Sequence, residues 1–299
     1  MIDVILNRPG GLIKQLSEKL RLNNNEASQR IIILHNHAFK NAGSTIDWAL
    51  EKNFNKAFID HRDDKNMKKG AAYLGPYLIE NLNISALSSH HVRLPLPTVQ
   101  NVKILMIMMF RHPIERVTSV YFFEKKQINA KTLGAKFART HDLSEYIKWR
   151  LRPDVPRAIR NFHLFKLIPL PSNWKKQENS NDLKNAQKVV DDNMMTGFVE
   201  KFDESMVLFE EVLRPYFPDI DLSYKIQNVN QRLDDTTEKR IERLENEIGK
   251  KGFNSLMEHN RMDLDLYKYA WKQFEKKIQQ ISDFDAKLDE FKIRCKRYN

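Results

Sequence analysis

The feature that most constrains the fold is a short apolar run followed at once by a loop of small and polar residues. Residues 31–34, Ile-Ile-Ile-Leu, are rich in β-branched side chains, which is typical of a strand buried in a parallel sheet. A small and polar segment, 35–44, and a helix-like stretch, 45–54, follow directly. Strand, tight loop and helix in this order begin an α/β unit.

The same pattern recurs further along the chain. We predict a weaker strand at 84–87, the strongest strand of the sequence at 102–110 and a last strand at 196–202. Pro113 cannot continue a strand and suits the first turn of a helix, which the apolar spacing predicts at 114–126. The sequence therefore predicts an α/β fold.

The C-terminal part of the sequence has a different character. From about residue 234 it consists of charged segments with helical periodicity, and we expect one helix to end at Gly249. We predict one domain over residues 1–299, with a core at about 31–233 and a helical part at about 234–299. The turn-rich stretch 151–176 is predicted to be an irregular insertion.

Composition limits the class of protein. The chain carries 50 Lys and Arg against 39 Asp and Glu, a net charge of +11, which indicates an anionic partner. A hydrophobic fraction of 41% is that of a globular protein, and the single cysteine, Cys295, excludes an internal disulfide and a Cys-rich metal site. The longest apolar run, 104–110, is too short to cross a bilayer, and no secretory signal is visible. We therefore expect a cytoplasmic protein without a transmembrane segment.

The first loop, 35–45, has the residues of a phosphate cradle. Small residues at 42–44 let backbone N–H groups approach a ligand, and the following helix directs its positive N-terminal end at the same place. Lys40 adds a full charge, and Ser44 and Thr45 add hydroxyl groups. In a Walker A loop a glycine directly precedes the lysine and Ser or Thr directly follows it, which is not the order here. A capped strand-to-helix turn with an exposed lysine explains this loop equally well when it is taken alone.

A second loop begins at Arg111, at the carboxyl end of the strongest predicted strand, where open α/β sheets bind their ligands. Ser119 follows two helical turns later, so its hydroxyl group and the guanidinium group can converge on a phosphate. The alternative for either basic residue alone is a surface ion pair, Arg111 or Arg116 with Glu115.

The two loops together, about 70 residues apart, resemble those of the sulfotransferases that use 3′-phosphoadenosine 5′-phosphosulfate (PAPS). The resemblance is to the carbohydrate branch with the heparan sulfate 2-O-sulfotransferases and related bacterial enzymes. Its first loop reads roughly His-x-Pro-Lys-x-Gly/Ala-Gly-Ser/Thr-Ser/Thr, which 37–45 matches at most positions, and its second reads Arg-x-Pro-x-x-Arg-x-x-Ser-x-Tyr, which 111–121 matches throughout. Segment 197–205 resembles the family's Gly-x-x-Glu-x-Phe-Asp-x-Ser, and 228–230 and 265–267 resemble later landmarks.

This resemblance implies a fold, a cofactor and roles for particular residues. The implied fold is P-loop-like and three-layered, with a central, mainly parallel sheet flanked by helices. PAPS would be the donor and adenosine 3′,5′-bisphosphate the product, with Arg111 and Ser119 on the 3′-phosphate. The residues that would hold the 5′-phosphosulfate are Lys40, Asn41, Ala42, Gly43, Ser44 and Thr45. Phe39 stands where the family usually has proline.

The acceptor hydroxyl group also needs a base. His90-His91-Val92 resembles the His-Val or His-Phe element that supplies the catalytic histidine of the 2-O-sulfotransferase branch, so His91 is the expected base and His90 the alternative. A histidine after a strand is also often a structural residue. Lys40 would stabilise the charge that develops on the oxygen bridging to the leaving nucleotide, and we expect no metal.

The implied acceptor is a hydroxyl-bearing glycan, which can itself be anionic. Basic residues near the motifs that could face such a glycan are Arg93, Lys125, Lys126, Arg139, Arg152, Arg157 and Arg160, and Trp149 and Trp174 could stack on sugar rings. One alternative is a P-loop nucleotide kinase or hydrolase, which shares the strand–loop–helix cradle. Another is a basic nucleic-acid-binding protein, although no motif of that class is present and we expect no nucleic-acid partner.

Overall fold

A five-stranded sheet, parallel throughout, lies at the centre of the protein. The computed structural model describes residues 29–169, 178–192, 194–225 and 236–298. The sheet has the order β2-β3-β1-β4-β5. Its strands are β1 (Arg30–Asn36), β2 (Phe58–Asp60), β3 (Ala86–Ser89), β4 (Val102–Phe110) and β5 (Met194–Phe198). The α/β fold predicted from the sequence is thus confirmed.

The topology reverses direction at β1. The chain leaves β1 for β2 and β3 on one side of it, then crosses to β4 on the other side, so β1 pairs with both β3 and β4. At its carboxyl end His35 lies opposite Ile107 of β4, and Asn36 lies opposite Ser89 of β3. Open α/β sheets bind ligands at the carboxyl ends of strands beside such a reversal. The loops after β1, β3 and β4 therefore meet where a site is expected.

Helices cover both faces of the sheet. In chain order they are α1 (Gly43–Phe54), α2 (Asp64–Met67), α3 (Ala71–Glu80), α4 (Pro113–Lys125), α5 (Leu133–Thr140), α6 (Leu143–Arg150), α7 (Phe162–Leu167), α8 (Ser180–Asp192), α9 (Phe202–Leu213), α10 (Thr237–His259), α11 (Arg261–Gln279) and α12 (Phe284–Cys295). The first core lies between the sheet and α3, α7, α8 and α11, and the second between the sheet and α1, α9 and α12. These are the three layers that the resemblance implied.

Alternation along the strands divides their side chains between the two cores. In β1, Ile32 and Leu34 face the first core while Ile33 faces the second, and in β4 Met108 and Met109 divide in the same way. Because both faces are covered, residues 31–34 of β1 and 104–110 of β4 are continuous apolar runs. A third apolar cluster joins α4, α5, α6 and α10 beside the sheet.

Strand β4 begins and ends where the sequence predicts, and Pro113 stands in the first turn of α4. Other bounds differ from the prediction: β3 lies at Ala86–Ser89 rather than 84–87, and β5 begins at Met194 rather than 196. Strand β5 ends at Phe198 rather than 202, because the chain turns there and Ser205 Oγ accepts a hydrogen bond from the Phe198 N–H at 2.8 Å. The stretch predicted to be irregular contains α7. Three parts of the sequence named above lie outside the described residues: segment 228–230, Trp174 and part of the predicted insertion.

The C-terminal part is helical over 236–298, as predicted. Backbone angles leave the helical range at Gly249, with φ 72° and ψ 157°, where the sequence predicts a helix end; the helix resumes beyond it and continues to His259. Helix α10 packs on α4 and α6, α11 on β5, α7 and α8, and α12 on α9. Within the described residues, no helix is long and apolar enough to span a membrane.

Gly197 in β5 tests the packing of the second core. A Cβ atom at this position would lie 2.6 Å from Met109 Sδ and 2.7 Å from Phe209 Cζ. We expect Gly197→Ala to lower the free energy of unfolding by about 1–3 kcal/mol because the surrounding side chains must move apart. The control is Gly252→Ala in α10, where the nearest atom would lie 3.6 Å away. Alanine there should raise the free energy of unfolding by up to about 1 kcal/mol. Equal stabilities of the two variants in urea denaturation would contradict this packing.

Candidate active site

The loop between β1 and α1 holds its backbone in a strained conformation. Lys40 has φ 64° and Ala42 has φ 58°, both in the left-handed region that residues other than glycine seldom adopt. Ala42 is the N-cap of α1, and its side chain makes no capping hydrogen bond. The Thr45 N–H donates to the Ala42 carbonyl oxygen at 3.1 Å, whereas the N–H groups of Gly43 and Ser44 precede the first hydrogen bonds of the helix. These two groups are available to an anion together with the positive end of the helix dipole.

Gly43 allows the imidazole ring of His37 to pack against this loop. A Cβ atom at position 43 would lie 2.2 Å from both Cδ2 and Nε2 of His37. No larger residue fits there while the ring keeps its place. The sequence predicts a small residue at this position for approach to a ligand; the contact with His37 is an additional reason.

The Asp47 carboxylate joins two histidines of the loop. His35 Nδ1 lies 2.7 Å from Asp47 Oδ1, and His37 Nδ1 lies 2.9 Å from Asp47 Oδ2. Burial alone would raise the pKa of Asp47, but the two imidazoles hold it well below its usual range. Burial lowers the pKa of His35, whose ring is fully enclosed. The contacts of His35 and His37 with Asp47 tie the first loop to α1.

The same three side chains are the kind of set that can hold a metal ion. Ligand atoms of His35, His37 and Asp47 lie within 4.8 Å of one another. His35 Nδ1 is hydrogen-bonded to Asp47 Oδ1 at 2.7 Å, whereas His37 Nδ1 lies at ion-pair distance from Oδ2 without the geometry of a hydrogen bond.

Lys40 and Arg111 meet across the loops after β1 and β4. Arg111 Nη1 donates to the Lys40 carbonyl oxygen at 3.3 Å, and Lys40 Nζ lies 4.6 Å from the centre of the Phe123 ring. Burial, followed by the charges of Arg111 and Lys126, lowers the pKa of Lys40. Three cations repelling one another at the end of the sheet form a site that favours an anion.

Arg111 also makes the ion pair that the sequence offered as an alternative. Its Nε and Nη2 donate to the two carboxylate oxygens of Glu115, each at 2.5 Å, and Arg240 Nε lies 2.9 Å from Glu115 Oε1. Burial disfavours the charge of Arg111, but Glu115 outweighs this and raises its pKa. In the structure, therefore, Glu115 occupies the edge of the guanidinium group formed by Nε and Nη2. This is the edge that would bind a phosphate in a bidentate way.

Ser119 lies on the same face of α4 as Glu115 and Phe123, four residues from each. Glu115 contacts Arg111, and Phe123 contacts Lys40, so Ser119 lies between the two cations along the helix. Its side chain is largely buried. This face brings together the second-loop residues that the sequence singled out.

The two candidate bases face different partners. His90 lies against the first loop: its ring centre is 3.9 Å from that of His37, and its Nδ1 is 3.1 Å from the His37 carbonyl oxygen. His91 points to α2, with Nε2 3.2 Å from Asp64 Oδ2. Burial lowers the pKa of His90 to about 3 and that of His91 to about 4. Both rings are therefore neutral at pH 7, the form that can accept a proton.

Lys166 is a site residue that the sequence analysis missed. It is buried, and its Nζ donates to the His90 carbonyl oxygen at 2.9 Å. Burial, with a smaller contribution from the charge of Arg93, lowers its pKa to about 7. It belongs to no motif, and only the packing of α7 brings it to the end of β3.

A second buried network ties the first loop to the C-terminal helices. Asn41 donates to the Met109 carbonyl oxygen at 2.7 Å and lies 2.8 Å from His163 Nε2. His163 Nδ1 in turn lies 3.0 Å from Asp263 Oδ2, and both residues are buried. Asn41, which the resemblance assigns to the donor, therefore also has a structural role: it links the first loop to β4 and α7. No motif of the sequence contains His163, and its partner Asp263 lies 100 residues further on, in α11.

Segment 197–205 supports the second loop. Glu200 Oε1 accepts a hydrogen bond of 2.6 Å from the His112 N–H, and burial raises the pKa of Glu200. Tyr267, in the later landmark, packs edge-on against Phe198 and His112. The two landmarks that lie within the described residues, 197–205 and 265–267, therefore meet at the turn at 111–113.

Comparison with known proteins gives one relative. No family model matches the chain. A protein of Archaeoglobus fulgidus that bears the name "Uncharacterized protein" is 35% identical over 250 residues, which are 80% of this chain and 95% of the archaeal one. The chain belongs to the same family as this archaeal protein. That name states no activity.

We predict that Asp47→Asn lowers the free energy of unfolding at pH 7 by about 2–3 kcal/mol, because the amide cannot accept from both histidines. The depressed pKa of Asp47 contributes stability above the ordinary pKa of an aspartate, and this stability is lost as the pH falls below it. The difference from the wild type should therefore shrink below about pH 4.

The control is Asp154→Asn, since Asp154 pairs with Arg152 and both side chains are more than half exposed. That change should leave the free energy of unfolding close to that of the wild type, because solvent screens an exposed ion pair. Urea denaturation between pH 3.5 and 8 measures both variants. A loss at Asp47 no larger than that at Asp154 would show that the cluster does not hold the loop.

Proposed function

We propose that the protein is a sulfotransferase that moves a sulfuryl group from PAPS to a hydroxyl group of a glycan. The observation that supports this most strongly is the contact between Arg111 and Lys40. It brings the two loops of the resemblance to one place, at the carboxyl ends of adjacent parallel strands. Two anion-binding loops beside each other suit a nucleotide with phosphate groups at both ends of its ribose.

The first loop would hold the 5′-phosphosulfate. The open N–H groups at the start of α1, the hydroxyl groups of Ser44 and Thr45, and the Lys40 ammonium all lie on one turn of chain. Ser44 is exposed and Thr45 is buried, so Ser44 is the more accessible of the two hydroxyl groups. Asn41 is fixed by Met109 and His163, which leaves the backbone of the loop, rather than this side chain, to contact the donor.

The second loop would hold the 3′-phosphate through Arg111 and Ser119. A phosphate that binds Arg111 competes with the Glu115 carboxylate for the Nε and Nη2 edge of the guanidinium group. Arg240 remains in contact with Glu115, so the carboxylate keeps a cationic partner when Arg111 turns to the ligand. Donor binding therefore exchanges one charge-assisted contact for another and leaves neither charge unpaired.

In the reaction, the acceptor oxygen forms a bond to sulfur while the bond from sulfur to the bridging phosphate oxygen breaks. The acceptor proton passes to a histidine, and adenosine 3′,5′-bisphosphate leaves with the negative charge of the bridging oxygen. Lys40 stabilises that charge as it develops. As in phosphoryl transfer, positioning and cations provide most of the catalysis.

The base is one of the pair His90 and His91, and the contacts favour His90. Its ring lies on His37, beside Gly43 of the cradle, whereas His91 is turned towards Asp64 on α2. If the Nδ1 hydrogen of His90 is donated to the His37 carbonyl oxygen, Nε2 is left as the acceptor for a proton. The Asp47 cluster and Lys166 then position His90, through the ring of His37 and through the main chain.

Ligand-induced stabilisation tests the donor. We predict that adenosine 3′,5′-bisphosphate at a hundredfold excess over its dissociation constant raises the melting temperature by roughly 5 °C or more without magnesium. Lys40→Ala and Arg111→Ala should remove most of this shift, and Lys276→Ala, an exposed lysine of α11, should not. A shift with ATP and magnesium alone would indicate a kinase or hydrolase instead. No shift with millimolar bisphosphate would contradict the proposal.

Turnover tests the base. With the best acceptor of a glycan panel, we predict that alanine at the catalytic histidine lowers kcat by about 10²- to 10⁴-fold. The contacts favour a loss of this size for His90→Ala and a smaller loss for His91→Ala. His259→Ala, an exposed histidine at the end of α10, is the control. Full activity in both His90→Ala and His91→Ala would show that neither is the base.

A further inference from the structure

Exposed apolar side chains are concentrated in one short stretch of the chain. Nine large apolar side chains are exposed among the described residues, and four of them lie within twelve consecutive positions. They are Phe122, Phe123, Ile128 and Leu133, with exposed fractions of 42%, 41%, 83% and 66%. This stretch covers the end of α4, the following loop and the start of α5. Apolar side chains grouped in this way on a surface mark a place of contact.

The exposed charged side chains of the same stretch are all positive. Lys125, Lys126, Lys131 and Lys136 are all exposed, whereas Glu124 is the sole acidic residue in 122–136. Glu124 is buried, where it accepts hydrogen bonds of 2.6 Å from Arg150 and from Tyr146. It therefore contributes no negative charge to the surface. We call residues 122–136 the basic apolar patch.

The patch adjoins the donor site. The Lys40 ammonium group lies over the ring of Phe123, 4.6 Å from the ring centre. After burial and the charge of Arg111, the charge of Lys126 also lowers the pKa of Lys40. The loop at Ile128 is tied down by Arg139, whose Nη1 donates to the Ile128 carbonyl oxygen at 2.7 Å. The isoleucine is thus presented outward on a loop that is held from α5.

We propose that the basic apolar patch docks the protein on the surface of an anionic lipid bilayer. Lysines around exposed Ile, Leu and Phe side chains match the two layers of such a surface. The lysines contact the negative headgroups, and the apolar side chains enter the boundary with the acyl chains. Docking in this way turns the side of the molecule that carries Lys40 towards the membrane.

The charge of the patch argues against other occupants. A second copy of this chain would bring a second set of four lysines against the first, and like charges across an interface oppose association. A nucleic acid or a free polysaccharide would match the lysines but would leave Ile128 and Leu133 in water. A bilayer satisfies both kinds of side chain.

Vesicle binding tests the proposal without reference to catalysis. The probes are vesicles of phosphatidylcholine alone and vesicles containing about 30% phosphatidylglycerol, with bound protein measured by sedimentation. We expect at least tenfold tighter binding to the anionic vesicles, weakening as salt is raised. The double variant Ile128→Ser/Leu133→Ser should bind at least tenfold more weakly, as should Lys131→Gln/Lys136→Gln.

Matched controls are available elsewhere on the surface. Ile293→Ser/Leu82→Ser changes the same residue types at exposed positions of α12 and of the end of α3, and Lys250→Gln/Lys251→Gln changes exposed lysines of α10. Both should bind like the wild type. Equal binding to both kinds of vesicle, or undiminished binding by the patch variants, would overturn the proposal. So would self-association abolished by Ile128→Ser/Leu133→Ser, or binding to polyanions but not to vesicles.

Discussion

The parallel pairing of β1 with β4 is the constraint on which the rest of the structure depends. Both strands are enclosed by helices on both faces, and their register sets His35 opposite Ile107 at the carboxyl end. This pairing carries the Lys40 loop and the Arg111 loop to the same edge, where they touch. A shift in register would separate the two cations and exchange the side chains of one strand between the two cores.

Buried polar groups then fix the loops that the sheet brings together. Asp47 holds the first loop through His35 and His37, Asn41 ties it to His163, and Glu200 holds the turn at His112. Each of these groups is costly to bury unless it is paired, so each pairing selects one arrangement of the loop. The strained backbone at Lys40 and Ala42 persists because these contacts over-determine it.

The sequence predicted the parts of the fold that depend on local pattern. Strand β4 matches its prediction because the apolar run 104–110 is followed, three residues later, by Pro113, which cannot continue a strand. Strand β2 was missed because its three residues, 58–60, carry too little pattern to distinguish them from a turn. In the candidate site, the sequence analysis singled out Lys40, Gly43 and Arg111 because they lie in short motifs. The roles of Lys166 and Asp263 could not be found in this way, since each contacts a partner 76 or 100 residues distant.

A crystal structure of the protein with adenosine 3′,5′-bisphosphate is the most direct test of the central claim, that the two loops hold one nucleotide. We predict the 5′-phosphate on the backbone of residues 41–45 beside Lys40, and the 3′-phosphate on Arg111 and Ser119, with Glu115 turned to Arg240. A nucleotide bound with neither phosphate on these loops, or no bound nucleotide at millimolar concentration, would contradict the account.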